Sequence, residues 1–204
     1  MVLQELSLSF ISSTSFYYGV FFFVEDSLKR EFDDDGEQYN EEIDPWHPSN
    51  RAIFASYLAV GFGIWFIVSP LTFYMVNDID ASPAQQSVVI GLMNLPWAFK
   101  IGCGFLTDSM PINGLRRKPY FLIGWGLWLV CNIVLAINGK PSIEWLAAFV
   151  FLMTLSFVQA DVCTDAMIVE KSKAYENDKT RGTLQAFGYS VRFFGAIVGA
   201  LMGM

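Results

Sequence analysis

The sequence has little of the side-chain chemistry that most enzymes use. Histidine occurs once, as His47, and each of the three cysteines, Cys103, Cys131 and Cys163, lies inside an apolar stretch. No cysteine has another cysteine or the histidine close to it in sequence, so neither a disulfide framework nor a metal cluster can be built from this set. Nor does the sequence contain a nucleophile–histidine pattern or a phosphate-binding glycine loop. We therefore expect no enzyme and no need for a metal or a cofactor.

Charged residues are also scarce. They make up 16% of the 204 residues, whereas hydrophobic residues make up 53%. An average soluble domain has roughly 25% charged residues, so a water-soluble globular protein is excluded, and so is a chain that is disordered throughout. Residues 1–50 hold 11 of the 20 acidic residues and two of the 13 basic ones. Residues 51–204 therefore carry a formal net charge of +2. No basic stripe indicates binding to nucleic acid.

Long uncharged stretches dominate the sequence after residue 50. A helix needs roughly 20 apolar residues to cross the hydrocarbon core of a bilayer. We therefore predict an all-α, multi-pass membrane protein with five transmembrane helices. The stretches are Ala52–Val76, Ala81–Phe99 with a continuation to Thr107, Pro119–Gly139, Trp145–Ala160 with a continuation toward Val169, and Gly182–Met204.

The loops between these stretches differ in basic residues. Three of them, Arg116, Arg117 and Lys118, lie between the second and third stretches, and four more lie between residues 171 and 181. The loops on the other side hold Lys140 at most. Because basic loops stay in the cytosol, we expect these two loops and Arg51 on the cytosolic side and the C-terminus outside. The sequence leaves open which membrane holds the protein.

The first 50 residues form a separate region. Leu6–Val24 is uncharged but rich in serine, and it lacks the basic segment and cleavage site of a signal peptide. We do not count it as a span, although a weak sixth span or a stretch lying on the membrane surface stays open. Glu25–Asn50 is acidic and predicts a disordered cytosolic tail. The predicted domains are therefore residues 1–50 and a transmembrane domain, residues 51–204.

Four charged residues lie inside the predicted spans: Lys100, Asp161, Asp165 and Arg192. Each costs at least roughly 2.5–3.5 kcal/mol to insert, so we expect them to face a packed interior or a wet cavity. Counted from the basic loops at about 1.5 Å per residue, three of them lie at similar depths of roughly 12–16 Å, and Asp165 lies one turn nearer the loop. Two interpretations stay open. The charges form either an ion-pair network that only joins helices, or a polar site whose basic residues face an anionic substrate. In that site an aspartate would accept ring N–H groups or carry a coupling proton.

Small residues and prolines add two local predictions. Gly195, Gly199 and Gly203 repeat at intervals of four, a spacing that lets helices pack closely. Pro70 and Pro96 lie within predicted spans and should bend them.

The loop after the second span carries the most specific motif. Gly104-Phe-Leu-Thr-Asp108, followed by Gly114-Leu-Arg-Arg117, resembles the loop signature of the major facilitator superfamily, which joins the second and third helices. A basic cytosolic loop would account for the arginines, but it would not account for the glycine and the aspartate before them.

Two further runs resemble one family of that superfamily. Leu95-Pro-Trp-Ala-Phe-Lys100, with the loop that follows it, and Ala160-Asp-Val-Cys-Thr-Asp165 are similar to the folate–biopterin transporters. The resemblance implies a fold of twelve or so helices that moves folates or related pterins across a membrane. It also implies a gating loop and cavity-facing polar positions. The gating residues are Gly104, Asp108, Arg116 and Arg117, the cavity candidates are Lys100, Asp161, Asp165 and Arg192, and Trp65, Trp97 and Phe99 are candidates for ring stacking.

The resemblance covers only part of such a fold. It runs from about Arg51 to Met204, so we expect the truncated N-terminal bundle of a transporter, and the chain looks like a fragment. Three functions stay open: a carrier of folates or pterins, a carrier of another organic anion, and a non-transporting or nonfunctional truncated membrane protein. The expected partners are a folate-like small molecule and the lipid bilayer, with protons as a candidate coupling ion and no nucleic acid.

Overall fold

The computed structural model describes residues 50–138 and 141–203. In this part of the chain the secondary structure is helical, apart from one isolated bridge between Ile112 and Leu115. The predictions for residues 1–49 lie outside the described residues. The helices are α1 (Arg51–Asn77), α2 (Pro83–Ala98), α3 (Lys100–Ser109), α4 (Lys118–Asn138), α5 (Ile143–Tyr175) and α6 (Thr183–Met202).

Five helical stretches are long and apolar enough to cross a membrane, with α2 and α3 together forming one of them, Pro83–Ser109. The five spans predicted from the sequence are therefore confirmed, as is the all-α class. Helices are the expected outcome, because hydrocarbon offers no partners to the backbone and a helix satisfies its own N–H and C=O groups. Helix α5 has 33 residues. At about 1.5 Å per residue it is roughly 50 Å long, so it extends beyond a hydrocarbon core of about 30 Å.

The second span is interrupted just after Pro96. Its start is well defined, since Ser82 and Gln85 cap α2 reciprocally and Pro83 occupies the first turn. Near its middle, Phe99 leaves the helix and donates its N–H to the carbonyl oxygen of Pro96 at 3.0 Å. The bend predicted at Pro96 is thus a break between α2 and α3, and Lys100 begins the new helix. Pro70, in contrast, lies inside an unbroken α1.

Helices α1 and α6 pack with their backbones almost in contact. A Cβ added to Gly199 would lie 2.3 Å from the carbonyl oxygen of Phe62. A Cβ added to Gly61 would lie 1.9 Å from the carbonyl oxygen of Arg192, and Gly195 makes a similarly close approach. Side chains larger than hydrogen do not fit at these positions, which confirms the close packing predicted from the glycine spacing.

Helix α5 is the centre of the described bundle, because it contacts all five other helices. Much of its packing is aromatic: the ring of Trp125 in α4 meets Phe157 in α5 edge to face at 5.7 Å and Trp128 at 6.1 Å.

Glu176 joins the end of α5 to the start of α6. Its carboxylate accepts a hydrogen bond from the Ser172 hydroxyl and two from backbone N–H groups, those of Gly182 at 2.6 Å and Leu184 at 2.8 Å. Burial raises the pKa of Glu176, but these hydrogen bonds outweigh burial and hold the pKa below its ordinary value. The ionised carboxylate thus supplies acceptors to N–H groups at the start of α6, which have no partners within the helix.

The close approach of α1 and α6 predicts a specific sensitivity. Gly199→Ala forces its new methyl group against the Phe62 carbonyl, so we expect it to lower the free energy of unfolding by about 1–3 kcal/mol. Gly126→Ala in α4 is the matched control, because a Cβ there meets nothing within 4 Å. Thermal or denaturant unfolding of the protein in detergent measures both variants. Equal stability of the two would contradict the packing described.

Candidate functional site

The four charged residues predicted to lie inside the membrane come together in one cluster, which we call the charge cluster: Lys100, Asp161, Asp165 and Arg192. The Lys100 ammonium donates to both aspartates, at 2.8 Å to Asp161 Oδ2 and 2.7 Å to Asp165 Oδ2. The Arg192 guanidinium donates to the other oxygen of Asp161 at 3.0 Å. Two positive and two negative charges from α3, α5 and α6 therefore balance inside the apolar bundle.

Burial within the charge cluster is uneven. The side chain of Asp161 is completely buried, whereas that of Lys100 is 33% exposed and that of Asp165 is 26% exposed. The side chain of Arg192 is 17% exposed, an intermediate value. Asp161 is thus the internal anchor of both cations, and Lys100 with Asp165 forms the open side that a ligand could reach.

The local sequence brings each member into place. Asp161 and Asp165 are four residues apart, so they lie on one face of α5. Lys100 is the first residue of α3, directly after the break at Phe99. Arg192 is carried inward by the contact between its own backbone and Gly61 of α1.

Tyr57 completes the polar group and was not predicted from the sequence. Its hydroxyl donates to Asp165 Oδ1 at 2.7 Å, and the residue is buried in α1. All four oxygens of the two aspartates therefore accept a hydrogen bond. Nothing in the local sequence distinguishes Tyr57 from the other aromatic residues of α1, since only the packing of α1 on α5 places its hydroxyl beside an aspartate.

Among the three aromatic residues proposed for ring stacking, only Trp97 lies at the charge cluster. Its ring centroid is 5.7 Å from Lys100 Nζ and 5.8 Å from the central carbon of the Arg192 guanidinium, both within the range of cation–π attraction. Trp65 and Phe99 are exposed on the outside of the described bundle. Trp97 is thus the aromatic surface next to both cations.

A second buried polar contact lies next to the aspartates, at the residue that precedes Asp165. The hydroxyl groups of Ser56 in α1 and Thr164 in α5 are 2.8 Å apart, and both residues are completely buried. The Thr164 hydroxyl also bonds to the carbonyl oxygen of Ala160, at 2.9 Å. This pair fastens α1 to α5 beside the charge cluster.

The loop between α3 and α4 is attached to α5 by one arginine. Arg117 donates to the carbonyl oxygen of Ala166 at 2.8 Å and forms ion pairs with Glu170 and, at 3.5 Å, with Asp108. The structure therefore brings together two of the four predicted gating residues, Asp108 and Arg117. Glu170 lies within the α5 run that resembles the transporters but was not singled out as a site residue.

The other two predicted gating residues have different surroundings. Arg116 is exposed. A Cβ added to Gly104 would lie 3.7 Å from a methyl group of Val162, which is an ordinary van der Waals distance, so α3 and α5 approach one another there without requiring a glycine. The turn itself depends on Gly114, whose φ of +80° favours glycine.

The charge cluster keeps capacity for an anionic ligand. An ammonium group has three N–H donors and a guanidinium has five. Lys100 directs two donors to the aspartates, and the bond from Arg192 to Asp161 uses one Nη1 donor. Both cations therefore keep N–H donors beyond those that bind the aspartates.

The chain is similar to known membrane proteins. The family described as the BT1 family matches residues 61–203. Probable folate-biopterin transporter 4 of Arabidopsis thaliana is 30% identical over 140 residues, which cover 68% of this chain and 28% of that protein. The folate-biopterin transporter of Synechocystis is 29% identical over 64% of this chain and 26% of its own length. Folate transporter 1 of Plasmodium falciparum is 24% identical over 72% of this chain and 28% of its own length.

These matches cover only a minor part of each relative. The chain spans less than a third of the length of each of these three proteins. No solved structure matches the chain.

The uneven burial predicts unequal effects of neutralising the two aspartates. Asp161→Asn leaves two cations facing one another without their buried counter-charge, so we expect it to lower the free energy of unfolding by about 3–5 kcal/mol. Asp165→Asn is the matched control on the same helix, and we expect a smaller loss because that side chain is 26% exposed. The double variant Asp161→Asn with Lys100→Met should recover part of the stability. Unfolding in detergent measures all three, and equal losses from the two single variants would refute Asp161 as the anchor.

Proposed function

The chain belongs to the BT1 family and is an integral, multi-pass membrane protein, and from this premise we propose that it is part of a carrier that moves folates or related pterins across a membrane. The named relatives support the substrate class, since they include folate-biopterin transporters and a folate transporter. The observation that carries the proposal is the balanced charge cluster, in which α3, α5 and α6 direct ionised side chains to one partly open point inside an apolar bundle.

The cations of the charge cluster suit the anionic end of a folate. Folates join a hydrogen-bonding pterin ring to glutamate carboxylates, and ionised donors form strong bonds to carboxylates. Lys100 is the more exposed of the two cations, so in this proposal it meets the ligand first. The Arg192 guanidinium binds a carboxylate beside Asp161, which holds it in position.

The two aspartates have different roles in this proposal. Asp165 is partly open, so its carboxylate is the one that accepts N–H groups of a ring or of the linker between ring and glutamate. Asp161 is closed to ligand by burial, and it acts as a positioning residue for both cations. The sequence does not distinguish the two aspartates as ligand acceptors. The deeper burial of Asp161 favours Asp165 for that role.

We propose alternating access as the transport mechanism, with the loop between α3 and α4 as part of the gate on the cytosolic side. In such carriers two helical bundles rock around a central site, so each side needs contacts that form in one state and break in the other. Arg117 makes contacts of this kind, because it joins Asp108 at the end of α3 to Glu170 in α5. Both acidic partners are more than half exposed, so the ion pairs are weak enough to break during a cycle.

A second candidate function has one observation in its favour. All four oxygens of Asp161 and Asp165 already have partners within the protein. A non-transporting membrane protein could use the same network only to join α3, α5 and α6. The two candidates differ in whether the cations bind an added anion, and a binding measurement separates them.

The carrier proposal predicts a loss of folate binding when Arg192 is neutralised. With the protein in lipid nanodiscs, Arg192→Gln should weaken the Kd for folate by about tenfold to a hundredfold, the range expected for losing a charged hydrogen bond. Arg181→Gln, in the exposed loop before α6, is the matched control. Unchanged affinity in Arg192→Gln, with folate still bound by the unaltered protein, would assign the charge cluster to helix packing alone.

The gating proposal predicts that transport and binding separate at Asp108. Asp108→Asn weakens the ion pair with Arg117, which lies away from the charge cluster, so we expect slower folate uptake by cells that express the protein and an unchanged Kd in nanodiscs. Asp178→Asn, an exposed aspartate in the loop between α5 and α6, should alter neither measurement. A weaker Kd in Asp108→Asn would place this residue in ligand binding and contradict the gating role.

A further inference from the structure

The Asp165 carboxylate is held by two donors that differ in rigidity. The Tyr57 hydroxyl donates to Oδ1 and the Lys100 ammonium donates to Oδ2, each at 2.7 Å. Lys100 reaches the carboxylate on a flexible four-carbon stem, and its side chain is 33% exposed. Tyr57 is buried in α1, and only two side-chain torsions set the position of its ring. The orientation of the Asp165 carboxylate therefore depends mainly on Tyr57.

Three helices fix the ring of Tyr57. The ring belongs to α1, and the backbone of Gly188 in α6 lies so close that a Cβ added there would be 2.9 Å from the ring atom Cε2. The end of the Ile168 side chain in α5 reaches the same place, 3.0 Å from that Cβ. The ring of Tyr189 in α6 is also near, with its centroid 5.9 Å from that of Tyr57. Because close-packed interiors hold side chains in defined rotamers, the hydroxyl of Tyr57 has little freedom to move.

The residues that precede Tyr57 and Asp165 hold α1 against α5 at the same level. The hydroxyl groups of Ser56 and Thr164 are 2.8 Å apart, and both residues are buried. Consecutive residues of α1 thus pair with consecutive residues of α5, side chain to side chain. This contact fixes the separation of the two helices, so it also fixes the distance over which the Tyr57 hydroxyl reaches Asp165.

The bonds from Tyr57 and Lys100 do not use all the acceptor sites of Asp165. An ionised carboxylate has about four lone-pair sites, two on each oxygen. The two bonds take one site on each oxygen, and the Asp165 side chain is 26% exposed. The remaining sites are therefore available to a further donor, in directions that the two bonds already set.

We propose that Tyr57 is a positioning residue for ligand binding, which holds the Asp165 carboxylate in one orientation before a ligand arrives. The inference rests on the proposed function, in which Asp165 accepts N–H groups of a folate. Without the Tyr57 hydroxyl, only the more mobile Lys100 directs this carboxylate, so the ligand itself has to order it, at a cost in affinity. Tyr57 is buried and acts on the ligand only through Asp165.

Removal of one oxygen atom tests this role. Tyr57→Phe keeps the packed ring and removes the donor. With the full chain in lipid nanodiscs, we expect it to weaken the Kd for folate by about threefold to tenfold, the range for one side chain that the ligand must order. Tyr120→Phe is the matched control and should leave the Kd unchanged. Its hydroxyl also donates at 2.7 Å, but to the carbonyl oxygen of Met110 in the loop after α3.

A double-mutant cycle shows whether Tyr57 acts through Asp165. Asp165→Ala removes the carboxylate that Tyr57 positions, and it should itself weaken the Kd for folate. In that background, Tyr57→Phe should change the Kd by less than about twofold. A residue that only stabilises the packing of α1 on α5 would lower the stability in detergent without this dependence of the Kd on Asp165. Equal effects of Tyr57→Phe with and without the carboxylate would refute the positioning role.

The outcomes distinguish this inference from the proposed function. If Arg192→Gln weakens folate binding but Tyr57→Phe leaves the Kd unchanged, the positioning role is refuted and the carrier proposal stands. Tighter binding by Tyr57→Phe also refutes it, because Tyr57 would then compete with the ligand for Asp165. If the unaltered protein does not bind folate, the proposed function fails and the positioning role fails with it. A weaker Kd in Tyr57→Phe that disappears in the Asp165→Ala background supports the inference.

Discussion

The buried carboxylate of Asp161 is the constraint on which the arrangement of the bundle depends. A lone carboxylate inside an apolar bundle is too costly to keep ionised, so it needs cations at hydrogen-bonding distance. Lys100 and Arg192 supply them, one to each oxygen, from helices on either side of α5. The same contacts that satisfy this charge therefore determine how α3 and α6 sit against α5, and they leave Lys100 and Asp165 partly exposed.

Two backbone features make that geometry attainable. The break at Phe99 starts a new helix at Lys100, which frees the direction of α3 from that of α2. The glycine contacts between α1 and α6 bring the backbone of Arg192 against Gly61, close enough for the guanidinium to reach the bundle interior. A proline, which lacks a backbone N–H, lies at the first feature, and a glycine, which lacks a side chain, makes the second possible.

Sequence reasoning predicted the spans and the meeting of charges, because both follow from distances along the chain. Uncharged length identifies a span, and depth counted from the basic loops puts Lys100, Asp161 and Arg192 at one level. Sequence reasoning could not predict that Tyr57 donates to Asp165, or that Asp161 is more deeply buried than Asp165. Those depend on how each helix is rotated about its axis, which the packing of Tyr57 and of α1 decides.

Helix α5 carries the contacts of the charge cluster and those of the loop between α3 and α4 on one element. Its residue Asp161 anchors both cations, and about one to three turns later the Ala166 carbonyl and Glu170 hold Arg117. Helix α3 is connected to α5 at both of its ends. Lys100 at its start binds Asp161, and Asp108, about 12 Å further along the helix axis, binds Arg117. The charge cluster and the loop are therefore joined twice, once along α5 and once along α3.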